Sequence, residues 1–141
     1  MMLNAGRKYS CVVIDDEFSS INLLKEYLSQ IPKLELFKSF LNPVLALKEL
    51  KKGEKLDFLF LDINMQISGL DVAYALRDRF KSVIFITGHP QNALAAFGVN
   101  ADEFLVKPVD FKKFLAVVNR QIVKNNTDEL SDREQKRKTW R

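Results

Sequence analysis

Apolar and polar positions along the first 124 residues follow two alternating patterns. Short, continuous apolar runs predict five buried strands, at Tyr9–Ile14, Leu34–Phe40, Asp57–Leu61, Val83–Ile86 and Glu103–Val106. Apolar residues at helical spacing follow each run and predict helices over Glu17–Ile31, Pro43–Gly53, Leu70–Phe80, Pro90–Phe97 and Phe111–Ile122. Apolar strands that alternate with helices are typical of an α/β fold whose parallel sheet is buried on both faces.

The composition fits one globular domain and excludes several classes of site. Hydrophobic residues make up 47% of the chain and charged residues 28%, a balance that allows a buried core. The single cysteine, Cys11, excludes an internal disulfide framework and a cysteine-rich zinc site, and the single histidine, His89, excludes a multi-histidine metal site. Because Cys11 lies inside an apolar run, we expect it in the core.

Charge and hydropathy argue against nucleic-acid and membrane partners. The net charge is +4, but the one dense basic run lies at Lys136–Lys138, so we interpret the excess as diffuse surface charge and expect no direct nucleic-acid binding by this chain. No apolar run approaches the roughly 18 residues of a spanning helix. The first ten residues do not resemble a signal peptide either. We therefore expect a cytoplasmic protein that does not associate with membranes.

Polar and reactive residues follow the predicted strands at their carboxyl ends. Asp15 and Asp16 follow the first strand and Asp62 the third. Thr87 closes the fourth strand, and Lys107 follows the fifth. The carboxyl ends of parallel strands share one edge of a sheet, where ligands bind. We therefore expect these five side chains to lie close together.

This set of side chains is suited to phosphoryl transfer. Clustered carboxylates repel one another and favour a cation, and a ligand set of oxygen atoms alone favours a hard ion such as Mg²⁺. A carboxylate beside the ion can attack phosphorus and form an aspartyl phosphate. The ammonium of Lys107 and the hydroxyl of Thr87 can then neutralise and hydrogen-bond the phosphoryl oxygens.

On these residues the chain resembles the receiver domains of two-component response regulators. The matching motifs are Asp15–Asp16, Asp62, Thr87–Gly88 and Lys107–Pro108, in the family's order and each at a strand end. The resemblance covers residues 8–124. It implies a flavodoxin-like, doubly wound (βα)5 fold with the five parallel strands in the order 2-1-3-4-5.

The resemblance also implies a metal site and a phosphoacceptor. Asp62 would accept the phosphoryl group. Asp16 would bind Mg²⁺ directly and Asp15 directly or through water, together with Asp62 and the backbone carbonyl of Asn64. Asn64 and His89, two residues beyond Asp62 and Thr87, would border the phosphoryl group and tune its hydrolysis.

A switch mechanism follows from the same resemblance. Thr87 would move toward the phosphoryl group, Lys107 would pair with it, and Phe104 would be the switching aromatic of the fifth strand. The Lys107–Pro108 peptide would be cis, an isomer that proline makes accessible. A cognate histidine kinase or phosphotransfer protein would supply the phosphoryl group. The surface of the fourth helix, fifth strand and fifth helix would then bind a partner or a second copy.

Two segments refine this picture of a bacterial signalling phosphoprotein that catalyses only its own phosphorylation and dephosphorylation. Residues 92–107 resemble receivers that are joined to LytTR-type DNA-binding domains, and within them Leu94 and Phe97 would pack the fourth helix onto the sheet. The loop after Asp62 departs from the family, because Gln66 replaces the usual proline and Gly69 comes one residue early.

Residues 125–141 form a charged tail, which we interpret first as a linker or a disordered end, with a helical extension as the alternative. The tail is too short to bury a core of its own. The chain therefore either acts by docking to another protein or is the receiver part of a longer regulator with a DNA-binding output domain. The LytTR-type resemblance favours the longer regulator.

Two other functions compete with the receiver. A hydrolase of the haloacid-dehalogenase kind also uses Asp, Thr and Lys, but its nucleophile follows the first strand and an acid lies two positions later. Here Asp62 follows the third strand, and Asn64 stands at that position. A protein-interaction module on the same fold, never phosphorylated, would not respond to Mg²⁺.

Overall fold

The structure, a computed structural model, describes residues 6–92 and 101–139. The chain divides into two compact units, with the boundary between Val109 and Asp110. Among the described residues, the first unit contains the sheet and three α-helices, and the second contains one helix.

A parallel sheet of five strands forms the centre of the first unit. The strands are β1 (Tyr9–Ile14), β2 (Leu34–Phe40), β3 (Leu56–Asp62), β4 (Phe80–Thr87) and β5 (Glu103–Val106). Their order is β2-β1-β3-β4-β5, and every neighbouring pair is parallel. The predicted α/β fold class and strand order are therefore confirmed.

Three helices connect the strands of the first unit: α1 (Phe18–Ser29), α2 (Pro43–Leu50) and α3 (Gly69–Leu76). Short 3-10 turns follow at Arg77–Arg79 and Pro90–Asn92. The greater part of the predicted fourth helix, including Leu94 and Phe97, lies outside the described residues.

The ends of α2 illustrate how local sequence sets an element. The side-chain oxygen of Asn42 accepts hydrogen bonds from the backbone N–H groups of Val44 at 2.8 Å and Leu45 at 3.4 Å. Pro43 follows at the first helical position, where its missing N–H has no cost. The chain leaves the helix through Gly53, whose φ of 131° is open to glycine and strained for other residues.

The predicted boundary between the third helix and the fourth strand was wrong. Helix α3 ends at Leu76, and Phe80 opens strand β4 instead of closing the helix. Its spacing from Leu76 fits a helical stripe, but Phe80 also occupies the first buried position of the strand, where it is 1% exposed. Burial of this large ring in the core outweighs the local periodicity.

Strand β2 also departs from its simple alternation of apolar residues. Cys11 pairs with Leu36 and Val12 with Lys38, so Phe37 is an extra residue in the register. The Phe37 side chain is exposed, and Lys38 points to solvent, where its Nζ lies 2.9 Å from Glu49. In this register Leu34 pairs with Tyr9 and Phe40 with Ile14, and both are buried, whereas the residues between them are not.

Each face of the sheet carries its own set of buried side chains. Side chains on one face of the sheet pack with α2 and α3 in one core cluster. Alternate residues of the central strands β1, β3 and β4 contribute to this cluster: Val12, Ile14, Leu59, Leu61, Val83 and Phe85. The intervening residues, such as Cys11 and Ile84, face the other way because strand side chains alternate. On that side Leu24 of α1 and Ile86 line one groove.

The amino edge of the sheet holds a neutralised buried carboxylate. Asp57 lies near the start of β3 and accepts hydrogen bonds from the backbone N–H of Ser10 at 2.9 Å and its hydroxyl at 3.2 Å. Arg7 lies 3.3 Å from Asp57, and Lys81 lies 3.9 Å away. Arg7 and Lys81 thus balance the charge of the Asp57 carboxylate, and the two hydrogen bonds from Ser10 join β1 to β3.

The loop between β3 and α3 is held tightly against the end of β3. The N–H of Gly69 donates to the carbonyl of Ile63 at 2.8 Å. A Cβ atom at Gly69 would lie 2.0 Å from the carbonyl oxygen of Asp62, so no side chain fits there. Met65 packs partly against the core, whereas Gln66 is exposed. The exposed position of Gln66 places no packing demand on its side chain.

The second unit is one long helix, Phe111–Thr139. Its exposed second half carries charged residues and an ion pair between Glu134 and Arg137. The helix continues through residues 125–139, so this part of the predicted tail is a helical extension. Within the part of the chain that the structure describes, no helix is long and apolar enough to cross a membrane.

The loop geometry yields a test of stability. Replacing Gly69 with alanine should destabilise the fold by about 1–3 kcal/mol, because the new Cβ atom meets backbone that must shift. Urea unfolding of the purified domain measures the change. Gly88→Ala is the matched control, because nothing lies within 4 Å of a Cβ there, and it should stay within about 0.5 kcal/mol of wild type. Equal stability of the two variants would contradict the tight contact.

Candidate functional site

The sheet brings the predicted site residues to its carboxyl edge. Ile14, the last residue of β1, pairs with Leu61, so Asp15 and Asp62 leave adjacent strands at the same level. Thr87 ends β4 opposite Val106 of β5. The N–H of the next residue, Lys107, donates to the carbonyl of Thr87 at 2.8 Å. The ladder of the sheet thus places four functional residues within one small region.

Three carboxylates at this edge could hold a metal ion. One oxygen atom from each of Asp15, Asp16 and Asp62 lies within 4.8 Å of the others. Asp15 and Asp62 are 2% and 4% exposed, whereas Asp16 is exposed. A group of carboxylate oxygens, without nitrogen or sulfur donors, suits Mg²⁺ or another hard cation. The chemistry of the donors therefore fits the predicted ion.

Lys107 provides the positive charge of the site. Its Nζ lies 2.9 Å from Asp15, 2.8 Å from Glu17 and 3.7 Å from Asp62. Burial lowers the pKa of Lys107, but the hydrogen bonds that its ammonium donates to Glu17 and Asp15 raise it, and the net pKa lies above the usual value. The side chain therefore stays protonated and can attract an anionic phosphoryl group.

Burial and negative charge change the acidity of Asp62. Burial raises the pKa of its carboxyl, the charge of Asp15 raises it further, and together they bring it to about 6. Lys107 and the N–H of Asn64, which donates to Asp62 at 3.4 Å, lower the pKa by less. The ionised carboxylate is thus held in surroundings that favour a bound cation.

The Thr87 hydroxyl is buried and oriented by two neighbours. Its oxygen accepts hydrogen bonds from the side-chain amide of Asn64 and the backbone N–H of His89, both at 3.2 Å. A hydroxyl has two acceptor sites and one hydrogen, so these bonds leave Thr87 able to donate. Asn64 and His89, which were expected to border the phosphoryl site, both contact Thr87.

The remaining predicted residues lie on and after β5. Phe104 pairs with Phe85 in the sheet and packs, partly buried, against the core. The peptide bond between Lys107 and Pro108 is cis. The next residue, Val109, accepts a hydrogen bond through its carbonyl from the hydroxyl of Tyr27 on α1 at 2.7 Å. This bond ties the segment after Lys107 to α1.

Sequence reasoning did not include Glu17 among the site residues. Its carboxylate contacts Lys107, and the hydrogen bond to Lys107 lowers the pKa of Glu17. The available signal was its position directly after Asp15–Asp16, where Ser, Thr, Asp or Asn would cap a helix better. The contact itself depends on how far both side chains extend, which spacing along the chain does not specify.

Comparison with known proteins identifies the family. The model of the response regulator receiver domain matches residues 11–119. The chain belongs to this family. It is the receiver domain of a two-component response regulator.

Curated relatives agree with this assignment. The chain is 34% identical over 124 residues to an uncharacterized response regulatory protein of Vibrio cholerae, covering 86% of this chain and 52% of that one. It is 32% identical over 127 residues to the sensory transduction protein LytT of Enterococcus faecalis, covering 84% and 52%. LytT is a LytTR-type regulator, so the predicted similarity to that group is confirmed. The chain spans about half the length of these relatives.

Solved structures share the fold at low sequence identity. The response regulatory domain of protein mrkE from Klebsiella pneumoniae has a TM-score of 0.75 and 23% identity, over 84% of this chain and 98% of that one. The BeF3-activated DrrB receiver domain has a TM-score of 0.68 and 23% identity, over 82% and 97%. These likenesses confirm the flavodoxin-like architecture.

The acidity of Asp62 predicts a pH-dependent stability. Its pKa rises from 3.8 to about 6 on folding, so the folded state binds this proton more tightly, and this group's contribution to stability falls as the pH rises through that range. Asp62→Asn removes the cost of ionisation and should stabilise the metal-free protein by about 1–3 kcal/mol near pH 7.5, but by less near pH 4.5. Urea unfolding in EDTA at both pH values measures the difference, and an equal effect at both would contradict the raised pKa.

Proposed function

We propose that this chain is a phosphoacceptor that receives a phosphoryl group on Asp62 in a Mg²⁺-dependent reaction. The observation that carries the proposal is the cluster of Asp15, Asp16 and Asp62 with Lys107 at one edge of the sheet. A cognate histidine kinase or phosphotransfer protein supplies the phosphoryl group.

Each residue has a defined task in the transfer. Asp15, Asp16, Asp62 and the backbone carbonyl of Asn64 would hold Mg²⁺, which neutralises phosphoryl charge when bound. An oxygen of Asp62 attacks phosphorus, and the bond from phosphorus to the donor's histidine nitrogen breaks. The ammonium of Lys107 pairs with a phosphoryl oxygen.

Hydrolysis returns the site to its resting state. Water attacks the phosphorus of the aspartyl phosphate, inorganic phosphate leaves, and the Asp62 carboxylate is restored. Asn64 and His89 border this step and set its rate, a proposal supported by their hydrogen bonds to the Thr87 hydroxyl. In this proposal the chain catalyses only its own phosphorylation and dephosphorylation.

The output proceeds through Thr87 and Phe104. Thr87 turns toward the phosphoryl group and donates its hydrogen bond, and Phe104 changes position on β5. Residues 90–97, β5 and the C-terminal helix then bind a partner or a second copy of the chain. In a longer natural protein, a LytTR-type DNA-binding domain would receive the signal; the supporting observation is the similarity to LytT.

The two competing functions have less support. A haloacid-dehalogenase-type hydrolase needs its nucleophile after the first strand, whereas Asp62 ends β3, between β1 and β4. A module that is never phosphorylated has no use for two buried carboxylates, Asp15 and Asp62, beside the lysine that contacts both. Turnover of small phosphate esters would favour the first alternative, and insensitivity to Mg²⁺ the second.

Phosphorylation of purified protein tests the proposal. Incubation with acetyl phosphate and Mg²⁺ should add one acid-stable, base-labile phosphoryl group to wild type and none to Asp62→Asn, which lacks the nucleophile. Mass spectrometry of the intact protein measures the product.

Asp71→Asn serves as the control, because Asp71 is an exposed aspartate in the first turn of α3 and should leave phosphorylation unchanged. EDTA, which removes Mg²⁺, should abolish phosphorylation of wild type and of Asp71→Asn. An Asp62→Asn variant that is phosphorylated as fast as wild type would refute the assignment of the nucleophile.

A further inference from the structure

Three carboxylates compete for the single ammonium of Lys107. Glu17 and Asp15 lie within hydrogen-bond distance, at 2.8 and 2.9 Å, whereas Asp62 lies at 3.7 Å. Asp62, which would carry the phosphoryl group after transfer, is therefore the most distant of the three carboxylates from Lys107. Asp15 belongs to the carboxylate cluster that could hold a cation, and Glu17 does not.

Glu17 occupies a position where its side chain has another possible role. It is the N-cap residue of α1, with extended backbone angles of −99° and 118°, yet its side chain makes no capping hydrogen bond. A shorter aspartate, serine or threonine would accept from the free N–H groups of the first turn. The longer glutamate instead extends to Lys107, from a side chain that is 60% exposed.

We infer that Glu17 is a positioning residue that draws Lys107 away from Asp62 until a phosphoryl group arrives. The inference rests on the proposed function. Before phosphorylation, the ammonium is shared between Glu17 and Asp15. A phosphoryl group on Asp62 adds negative charge at the more distant contact and draws Lys107 toward it, which weakens the contact with Glu17. Glu17 thereby weakens the phosphorylated state relative to the resting state.

The expected size of the effect follows from the exposure of the pair. Exposed ion pairs contribute little because water screens them, so releasing Lys107 from Glu17 should change affinity by about two- to fivefold. Glu17→Gln should therefore bind beryllofluoride, a stand-in for the phosphoryl group, about two- to fivefold more tightly than wild type at saturating Mg²⁺. No capping hydrogen bond is lost, so the fold should be unaffected.

Two further variants separate the contact from charge alone. Glu17→Asp keeps the negative charge, but its shorter side chain favours capping the N–H groups of α1 over contacting Lys107. It should therefore also bind beryllofluoride more tightly than wild type. Glu26→Gln removes the same charge from an exposed position on α1 and should bind as wild type does.

Isothermal titration of beryllofluoride into the Mg²⁺-loaded proteins provides the measurement. Tighter binding by both Glu17 variants, with Glu26→Gln unchanged, supports the inference. Tighter binding by Glu17→Gln alone would assign the effect to charge and overturn it, as would unchanged affinity of both or an equal gain in Glu26→Gln. Wild type that binds no beryllofluoride would instead refute the proposed function itself.

Discussion

The balance of charge around buried carboxylates is the constraint on which this structure depends. Asp57 and Asp62 are both buried on strand β3, near its opposite ends. At the amino edge, Arg7, Lys81 and the donors of Ser10 surround Asp57, so that carboxylate is neutralised within the fold. At the carboxyl edge, the carboxylates outnumber the ammonium of Lys107. The amino end of β3 thus stabilises the sheet, whereas its carboxyl end carries an excess of negative charge that can bind a cation.

The parallel arrangement of the strands explains why the charged groups collect at one edge of the sheet. In a parallel sheet the carboxyl ends of all strands meet at one edge, and the backbone ladder holds Asp62 beside Ile86, the residue before Thr87. The rigid ladder positions the reacting groups, while the loops around them supply hydrogen bonds to Thr87 and Asp62.

Much of the fold could be read from the chain because its strands are short, apolar and clearly bounded. The bounds of β1, β2 and β5 match their apolar runs, and the polar residues after the strands converge as expected. The boundary before β4 could not be read, because Phe80 satisfies helical spacing and strand burial at once, and only packing distinguishes them. Glu17 was missed for a related reason, since a contact between flexible side chains from distant strand ends leaves no periodic signal.

The contact between Gly69 and the carbonyl of Asp62 has a consequence for how this domain can evolve. Because the loop is anchored by backbone at that point, the exposed side chain of Gln66 can change without moving Asp62. The loop can therefore accept different side chains at position 66, in its middle, but only glycine at position 69, at its end. Side chains on the rim of the site can therefore change while the end of β3 keeps its place in the sheet.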